Sequence, residues 1–223
     1  MRLIKLFTIF LLISISVRAQ TVKWDSTYRP GIYAQKVAQF NMHPNSKKDI
    51  IFLGNSITDY VDWNELLQLP KAKNRGISGD ITFGILERLN EVTEGKPAKV
   101  FILIGINDIA RNIPDSVILD NYKRIITGIK IASPKTKIYF NTLLPVNKTF
   151  PDRAHFNKDH HVAAINAGLK KICAAENIVL IDIHDRFLDA EKMLEKEYTY
   201  DGLHLNAEGY KLWASILKPF VKK

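Results

Sequence analysis

The sequence predicts an α/β protein, a three-layer α/β/α sandwich in which helices cover both faces of a parallel sheet of five strands. From Asp49 onward, short apolar runs alternate with longer stretches of helical period, which is the pattern of β-α-β units. The run 100–104 is apolar at every position. A strand without alternation is buried on both faces, so this run indicates helices on both sides of the sheet.

The strand candidates are short runs, each followed by a turn or by a helical stretch. In chain order they are 50–54, 72–74, 100–104, 137–143 and 178–183. The second is short and polar, whereas the others are rich in apolar residues that favour strands. Sheets of this kind bind ligands at the carboxyl ends of their strands, so the residues that follow each strand are the first candidates for a site.

Apolar residues between the strands recur at three- and four-residue steps, as they do on the buried face of a helix. This spacing predicts helices over 81–92, 118–129 and 162–173, and a last helix after Asn206. Residues 20–48 are predicted to form an N-terminal arm, with a helix over 32–40 that packs on the outside. Residues 49–223 are then one domain, because no linker or internal repeat divides them.

Length and composition are those of an ordinary globular protein. With 223 residues, of which 46% are hydrophobic and 25% charged, the chain can bury a core without disulfides. Cys173 is the only cysteine, which excludes an internal disulfide and a zinc site built from paired cysteines. The helical spacing around Cys173 predicts a core residue rather than a reactive thiol.

Residues 1–19 have the organisation of a secretory signal peptide. Basic residues precede an uncharged, mostly apolar stretch over 6–17, and the small residues Val17 and Ala19 stand where a signal peptidase reads. A membrane anchor is the alternative, but the stretch is nearer the roughly 7–15 residues of a signal core than the ~20 that span a bilayer. We therefore expect cleavage before Gln20, a periplasmic or secreted protein, and no stable membrane anchor.

The charge pattern does not favour nucleic acid as a partner. Removal of the signal peptide takes away Arg2, Lys5 and Arg18, so the formal net charge falls from +9 to +6. The remaining basic residues are scattered and lack the aromatic interleaving of a groove that binds single strands. A solvated basic surface that aids solubility is the simpler interpretation.

Polar residues follow the predicted strands or precede the last helix in four segments. Ser56 lies in the turn after the first strand, Gly79 in the glycine-containing loop 74–80, and Asn107 just after the third strand. Asp201 and His204 stand together before the last helix, at a spacing that lets a carboxylate and an imidazole lie side by side. Taken singly, each has a structural interpretation as a helix cap, a turn residue or a buried histidine.

Together the four segments supply what acyl transfer requires. The Ser56 hydroxyl is a weak nucleophile until a base takes its proton; His204 is the candidate base, and Asp201 would orient the ring and stabilise the imidazolium. The backbone N–H groups of Ser56 and Gly79 and the side-chain amide of Asn107 are the candidate oxyanion hole. No metal or other cofactor is expected. The G-x-S-x-G elbow and the phosphate-binding glycine motifs do not occur in the chain.

From about Asp49 to Phe220 the chain resembles the SGNH hydrolases, also called GDSL-type esterases and lipases. The resemblance implies a flavodoxin-like sheet and assigns Ser56 as nucleophile, Asp201 and His204 as its triad partners, and Ser56, Gly79 and Asn107 as oxyanion donors. The loop 74–80 and the run after it are similar to the catalytic subunits of platelet-activating-factor acetylhydrolase and their bacterial relatives. The name-giving Gly-Asp-Ser is here Gly-Asn-Ser.

The expected function is that of an exported serine esterase that acts on short acyl esters. The resemblance implies acetyl esters, and O-acetyl groups on carbohydrate are the favoured substrate. Lysophospholipids or thioesters are the alternative substrates. Two other classes stay open, a catalytically dead member that binds carbohydrate or protein and a flavin-binding protein of similar fold.

Asp108 is expected to brace its loop, and His160 and His161 are expected to form the solvated start of a helix. The sequence does not predict the oligomeric state.

Overall fold

The computed structural model describes residues 24–222, and within them five parallel strands form one sheet. The strands are β1 (Ile50–Gly54), β2 (Ala72–Gly76), β3 (Lys99–Leu103), β4 (Lys137–Asn141) and β5 (Val179–Ile181). Their order in the sheet is β2-β1-β3-β4-β5, so β2 lies on one side of β1, and β3, β4 and β5 follow on the other side. This is the flavodoxin-like order, and it confirms the predicted fold.

Helices connect the strands and cover the sheet on both faces. They are α1 (Tyr33–Asn41), α2 (Ser56–Asp59), α3 (Trp63–Leu67), α4 (Thr82–Glu87), α5 (Leu89–Thr93), α6 (Ile106–Ala110), α7 (Asp115–Ala132), α8 (Asp159–Ala175) and α9 (Ala207–Val221), with 3-10 turns at His184–Phe187 and Lys196–Tyr198. In this part of the chain, no helix is long and apolar enough to cross a bilayer. The predicted signal peptide 1–19 and the first residues of the arm lie outside the described residues.

The predicted helix over 81–92 is wrong as a single element. It is two short helices, α4 and α5, separated at Arg88, whose backbone leaves helical geometry at φ −101° and ψ 15°. The other predicted helices agree with α1, α7, α8 and α9 to within a few residues. Asn206 caps α9, because its side chain accepts a hydrogen bond from the N–H of Gly209.

Aromatic side chains fill the layer between the sheet and α9. The strand register places Phe52, Phe101 and Tyr139 side by side on one face, with ring centroids 5.1 and 4.5 Å apart. Trp63 of α3 stacks on Phe52 at 4.1 Å, and Trp213 of α9 meets Trp63 edge-on at 4.8 Å. Such pairs add to the free energy gained by burying the rings, so this row fixes both helices against the central strands.

The opposite face of the sheet packs against α7 and its neighbours. Tyr122 of α7 contacts Phe140 of β4 with ring centroids 4.7 Å apart, and its hydroxyl donates to the carbonyl of Ile104. Cys173 on α8 is buried, and burial raises the pKa of its thiol to about 11. Cys173 is therefore a core residue, as predicted. With both faces covered, the carboxyl edge of the sheet is left for the polar residues.

Candidate active site

Ser56 lies at the sharp turn between β1 and α2, at the carboxyl edge of the sheet. β1 ends at Gly54, where a side chain has no room because a Cβ would overlap the carbonyl oxygen of Leu103. Asn55 caps α2, since its side-chain oxygen accepts a hydrogen bond from the N–H of Ile57 at 3.1 Å. An aspartate could make the same contact, so Asn55 preserves the turn that sets the position of Ser56.

A chain of hydrogen bonds joins Ser56, His204 and Asp201. Nε2 of His204 lies 2.9 Å from Oγ of Ser56, and its Nδ1 lies 2.7 Å from Oδ2 of Asp201. A carboxylate only accepts hydrogen bonds, so Nδ1 carries the ring hydrogen and Nε2 is free to accept the hydroxyl proton. The rings of Tyr60 and Tyr200 lie 5.1 and 6.0 Å from the imidazole and restrict its position.

Asp201 is held by the turn that it begins. Its Oδ1 accepts the backbone N–H groups of Leu203 and His204 at 3.0 and 2.8 Å, and Gly202 supplies the φ of +80° that the turn needs. Burial pushes the pKa of this carboxyl up, but the hydrogen bonds from the side chain and backbone of His204 outweigh it. The pKa of Asp201 therefore lies below its usual value, and the group is ionised at neutral pH.

Gly79 lies in the loop after β2 and is covered by the N-terminal arm. The N–H of Asp80 donates to the carbonyl of Ile77, and Gly79 takes a φ of +81° within this turn. Pro30 of the arm lies 3.2 Å from the point where a Cβ on Gly79 would stand. A larger residue would therefore be strained and would push the arm away. Tyr33 and Phe40 of α1 pack against Ile77, and the arm also reaches this edge of the sheet through Pro30.

Asn107 is the second residue of α6 and its side chain is fixed at both ends. Nδ2 donates to the carbonyl oxygen of Asp80 at 2.9 Å, and Oδ1 lies 2.9 Å from Nε2 of His155. An amide nitrogen carries two hydrogens, so one remains for a ligand. The contact with Asp80 also ties Asn107 to the loop that carries Gly79.

A buried network of charged residues supports the same loop from below. Arg88 donates to Asp80 and Glu91 at 3.0 Å each, and to the carbonyl oxygens of Gly54 and Arg75. Arg75 donates in turn to Glu91 at 2.9 Å. All four side chains are almost completely buried. Arg88 thus joins the ends of β1 and β2 to the loop of Gly79.

Asp108 braces the neighbouring loop, as the sequence analysis expected. Its carboxyl group is completely buried and accepts hydrogen bonds from the backbone N–H and the hydroxyl of Thr82 at 3.0 and 2.5 Å. Burial raises the pKa of Asp108 to about 7, although these hydrogen bonds oppose the shift. The contact holds the start of α4 against α6.

The structure brings the five residues selected from the sequence to one edge of the sheet: Ser56, Gly79, Asn107, Asp201 and His204. The arrangement can perform nucleophilic acyl transfer, because a hydroxyl, a base and a carboxylate lie in hydrogen-bond order. Between residues 24 and 222, neither the N–H of Ser56 nor that of Gly79 has an acceptor. Both are thus available, with the Asn107 amide, to stabilise a negatively charged oxygen.

His160 and His161 lie apart from this group, at the start of α8. Nδ1 of His161 is 2.8 Å from Oδ1 of Asp115, on the neighbouring helix α7. In the described part of the chain, no group of three or more His, Cys, Asp or Glu side chains is arranged to hold a metal ion.

Three residues of this edge were not found from the sequence: Arg88, Arg153 and His155. The sequence did contain a sign of the role of Arg88. The residue stands at helical spacing on the apolar face of the predicted helix 81–92, and a charge on a buried face requires buried partners. Arg153 and His155 lie in a segment without periodicity. Their contacts with Asp201 and Asn107 cross 48 positions each, and no local pattern encodes them.

The sequence profile of the GDSL-like lipase/acylhydrolase family matches residues 52–212, which is more than half of the chain. The chain is 30% identical over 182 residues to the platelet-activating factor acetylhydrolase IB subunit alpha2 of Rattus norvegicus, covering 78% of this chain and 75% of the relative.

Solved structures of similar fold agree with this result. A candidate platelet activating factor from Streptococcus pneumonia has a TM-score of 0.78 at 30% identity, with 85% of this chain and 91% of the other covered. A GDSL-like lipase from Bacteroides thetaiotaomicron has a TM-score of 0.75 at 24% identity, with coverage of 85% and 97%. The second likeness concerns the fold alone.

Proposed function

The chain belongs to the GDSL-like lipase/acylhydrolase family of ester hydrolases, and we propose that within it the protein is an exported serine esterase for short acyl esters. Its substrate is an acetyl ester of a carbohydrate, hydrolysed through an acyl-enzyme intermediate on Ser56. The observation that carries the proposal is the unbroken hydrogen-bond chain from Asp201 through His204 to Ser56.

The first half of the reaction transfers the acyl group to the enzyme. Oγ of Ser56 attacks the ester carbonyl carbon while its proton moves to Nε2 of His204, and Asp201 stabilises the imidazolium. The carbonyl oxygen becomes an oxyanion that accepts hydrogen bonds from the N–H groups of Ser56 and Gly79 and from the Asn107 amide. The intermediate then collapses, and the departing alcohol takes the proton from Nε2.

The second half returns the enzyme to its starting state. A water molecule gives a proton to Nε2 of His204 and attacks the carbonyl carbon of the acyl group on Ser56. The same three donors stabilise the second oxyanion. Collapse releases the carboxylic acid, and the proton on Nε2 returns to Oγ of Ser56.

The close packing of the residues that flank Ser56, Asn107 and His204 in the sequence supports a short acyl group. A cavity of only about 10 Å³ lies next to the turn, lined among others by Asn55, Ile57, Ile106 and Leu203. These residues are the direct neighbours of Ser56, Asn107 and His204 in the sequence. A volume of roughly 10–15 Å³ holds one water molecule, which is comparable to a methyl group. A cavity of this size has no room for an octanoyl chain, so the packing around the site favours a short acyl group.

The larger space beside Gly79 and Asn107 supports a carbohydrate as the alcohol. This cavity, of about 530 Å³, is lined by Trp24 and Tyr28 of the arm and by Arg111, among others. Aromatic rings with a few polar groups are typical of small-molecule sites, and flat rings can pack against the C–H face of a sugar.

Hydrolysis of p-nitrophenyl acetate tests the chemistry. We expect turnover by the wild-type protein, loss of turnover in Ser56→Ala, and no change in the matched control Ser215→Ala, whose serine is exposed on α9. Turnover by a folded Ser56→Ala variant would rule out Ser56 as the nucleophile. A preference for octanoyl over acetyl esters would rule out the acetylesterase.

An acetylated monosaccharide tests the substrate class. Trp24→Ala should raise KM for the acetylated sugar and leave hydrolysis of p-nitrophenyl acetate unchanged, because the small ester does not need the aromatic wall. Equal effects on both substrates would contradict the carbohydrate assignment.

Export is tested by mass spectrometry of the N-terminus of protein recovered from expressing cells. Gln20 is expected as the first residue, and an intact 1–19 segment would contradict cleavage.

A further inference from the structure

Segment 153–158 crosses the edge of the sheet and contacts both halves of the site. At one end, Arg153 donates to Oδ2 of Asp201 at 2.8 Å. At the other, Lys158 donates to two carbonyl oxygens at the end of α6, at 2.8 and 3.0 Å. Between these anchors stands His155, which is partly buried and directed at α6.

The contact of His155 with Asn107 has a defined direction. Nδ2 of Asn107 faces the carbonyl oxygen of Asp80, which only accepts hydrogen bonds, so the amide nitrogen must be on that side. The amide oxygen Oδ1 therefore faces His155, and Nε2 of His155 must donate to it across 2.9 Å. One amide hydrogen is used by Asp80, and the other stays available for the oxyanion.

His155 lines the cavity beside Gly79 and Asn107, and among residues 24–222 its only side-chain hydrogen bond is the one to Asn107. Its second nitrogen, Nδ1, is buried and finds no hydrogen-bond partner among residues 24–222. Burial lowers the pKa of His155 to about 4, and the nearby His204 and Arg153 act in the same direction. The ring is thus neutral at pH 7 with its hydrogen on Nε2. An unpaired buried nitrogen is unfavourable for folding, so folding stability alone does not explain a histidine here.

We propose that His155 is a positioning residue that orients the Asn107 amide for the oxyanion. The terminal torsion of an asparagine side chain is broad and is set by its hydrogen bonds. With contacts on both sides, the amide has one orientation. Its free N–H is therefore already directed toward the position of the oxyanion before the substrate binds. Without His155, only Asp80 holds the amide, and the donor loses its fixed direction. The inference rests on the proposed esterase function of the same site.

Two substitutions separate the hydrogen bond from the bulk of the ring. His155→Phe keeps a planar ring without a donor, and His155→Gln keeps an N–H at a similar distance from the backbone. We expect His155→Phe to lower kcat for p-nitrophenyl acetate roughly tenfold with KM almost unchanged, because misdirected donors weaken transition-state binding. His155→Gln should recover most of this loss. His160→Phe, at an exposed position of α8, is the matched control and should leave kcat unchanged.

A double-mutant cycle shows whether His155 acts through Asn107. If it does, His155→Phe should have no further effect on kcat in an Asn107→Ala background, where no amide remains to be oriented. The same loss in both backgrounds, or no loss in either, would overturn the proposal. If His155→Phe fails to fold, the comparison of His155→Gln with His155→Leu replaces it, and equal activity of these two would overturn the proposal.

The cycle also separates this inference from the function on which it rests. Wild-type turnover that depends on Ser56, together with full activity of His155→Phe, would refute the positioning role and leave the esterase intact. A folded wild-type protein without activity toward any ester would refute the esterase function and the inference with it.

Discussion

The two sides of the site are supported by different kinds of contact. The donor side, Gly79 and Asn107, rests on buried groups: the Arg88 network beneath one loop and the fully buried carboxyl of Asp108 beneath the other. The acid–base side, Asp201 and His204, is held by a local turn and by an exposed arginine. The supports of the donor side are therefore part of the core, whereas those of the acid–base side are a local turn and an exposed arginine, even though the side chains of Asp201 and His204 are only 13% and 12% exposed.

This difference agrees with the role that we propose for each side. Oxyanion donors lower a barrier only if they are already in place when charge develops, so they benefit from rigid, buried support. An acid–base pair exchanges protons with substrate and water and needs access to the solvent. Substitutions on the donor side should therefore affect stability as well as rate, and those on the acid–base side should affect rate alone.

The largest effect is expected on the acid–base side, from His204→Ala. The variant should lose about 10⁴- to 10⁶-fold in kcat, because among residues 24–222 only His204 lies within hydrogen-bond distance of the Ser56 hydroxyl. Its thermal unfolding should match that of wild type and of His43→Ala, a substitution at an exposed histidine. A loss below about 100-fold would show that another group takes the proton.

Arg88→Met should produce the largest change in stability. Removing one partner of a buried ion pair leaves uncompensated charges, so the free energy of unfolding should fall by about 3–5 kcal/mol. Urea unfolding measures the difference, and Arg186→Met, at an exposed arginine, should stay within about 0.5 kcal/mol of wild type. A small change for Arg88→Met would remove the contrast between the two sides.

Asp108→Asn should change how stability depends on pH. The pKa of Asp108 is about 7 in the fold and 3.8 as its ordinary value, so the folded state holds a proton that the unfolded state has lost. Stability is then lost as pH rises through 7, by about 1.4 kcal/mol between pH 6 and pH 8. The variant should lack this loss in urea unfolding, and Asp185→Asn, at an exposed carboxylate, should keep it. Parallel curves for Asp108→Asn and wild type would contradict the raised pKa.

The smallest effect is expected from Arg153→Gln. The ion pair with Asp201 is exposed on the arginine side, and such pairs contribute about 1 kcal/mol at most. We expect kcat/KM for p-nitrophenyl acetate to fall no more than about fivefold, with the difference shrinking in about 0.5 M NaCl as the salt screens the charges. A loss that equals that of His204→Ala would make Arg153 a member of the catalytic machinery.

The order of the strands and helices along the chain, and the four segments that meet at the site, could be predicted from the pattern of amino acids. Burial repeats every two or about 3.6 residues in an element with one buried face, and an unbroken apolar run such as 100–104 marks a strand that is buried on both faces. Parallel strands then bring their carboxyl ends together, which places Ser56 and Asn107 on one edge without knowledge of any contact. The glycine-containing loop 74–80 and the spacing of Asp201 and His204 made the remaining site residues candidates, and the resemblance of their segments to a known family assigned their roles.

The contacts that support these residues could not be predicted in this way and are seen in the folded structure. Arg88 interrupts a predicted helix and reaches the ends of β1 and β2, a role that its spacing suggested but did not specify. His155 and Asn107 are 48 positions apart in the sequence, and the loop between strand and helix that carries His155 has no period. Hydrogen bonds between irregular segments depend on where the folded core places each backbone, and this information is not contained in any local pattern.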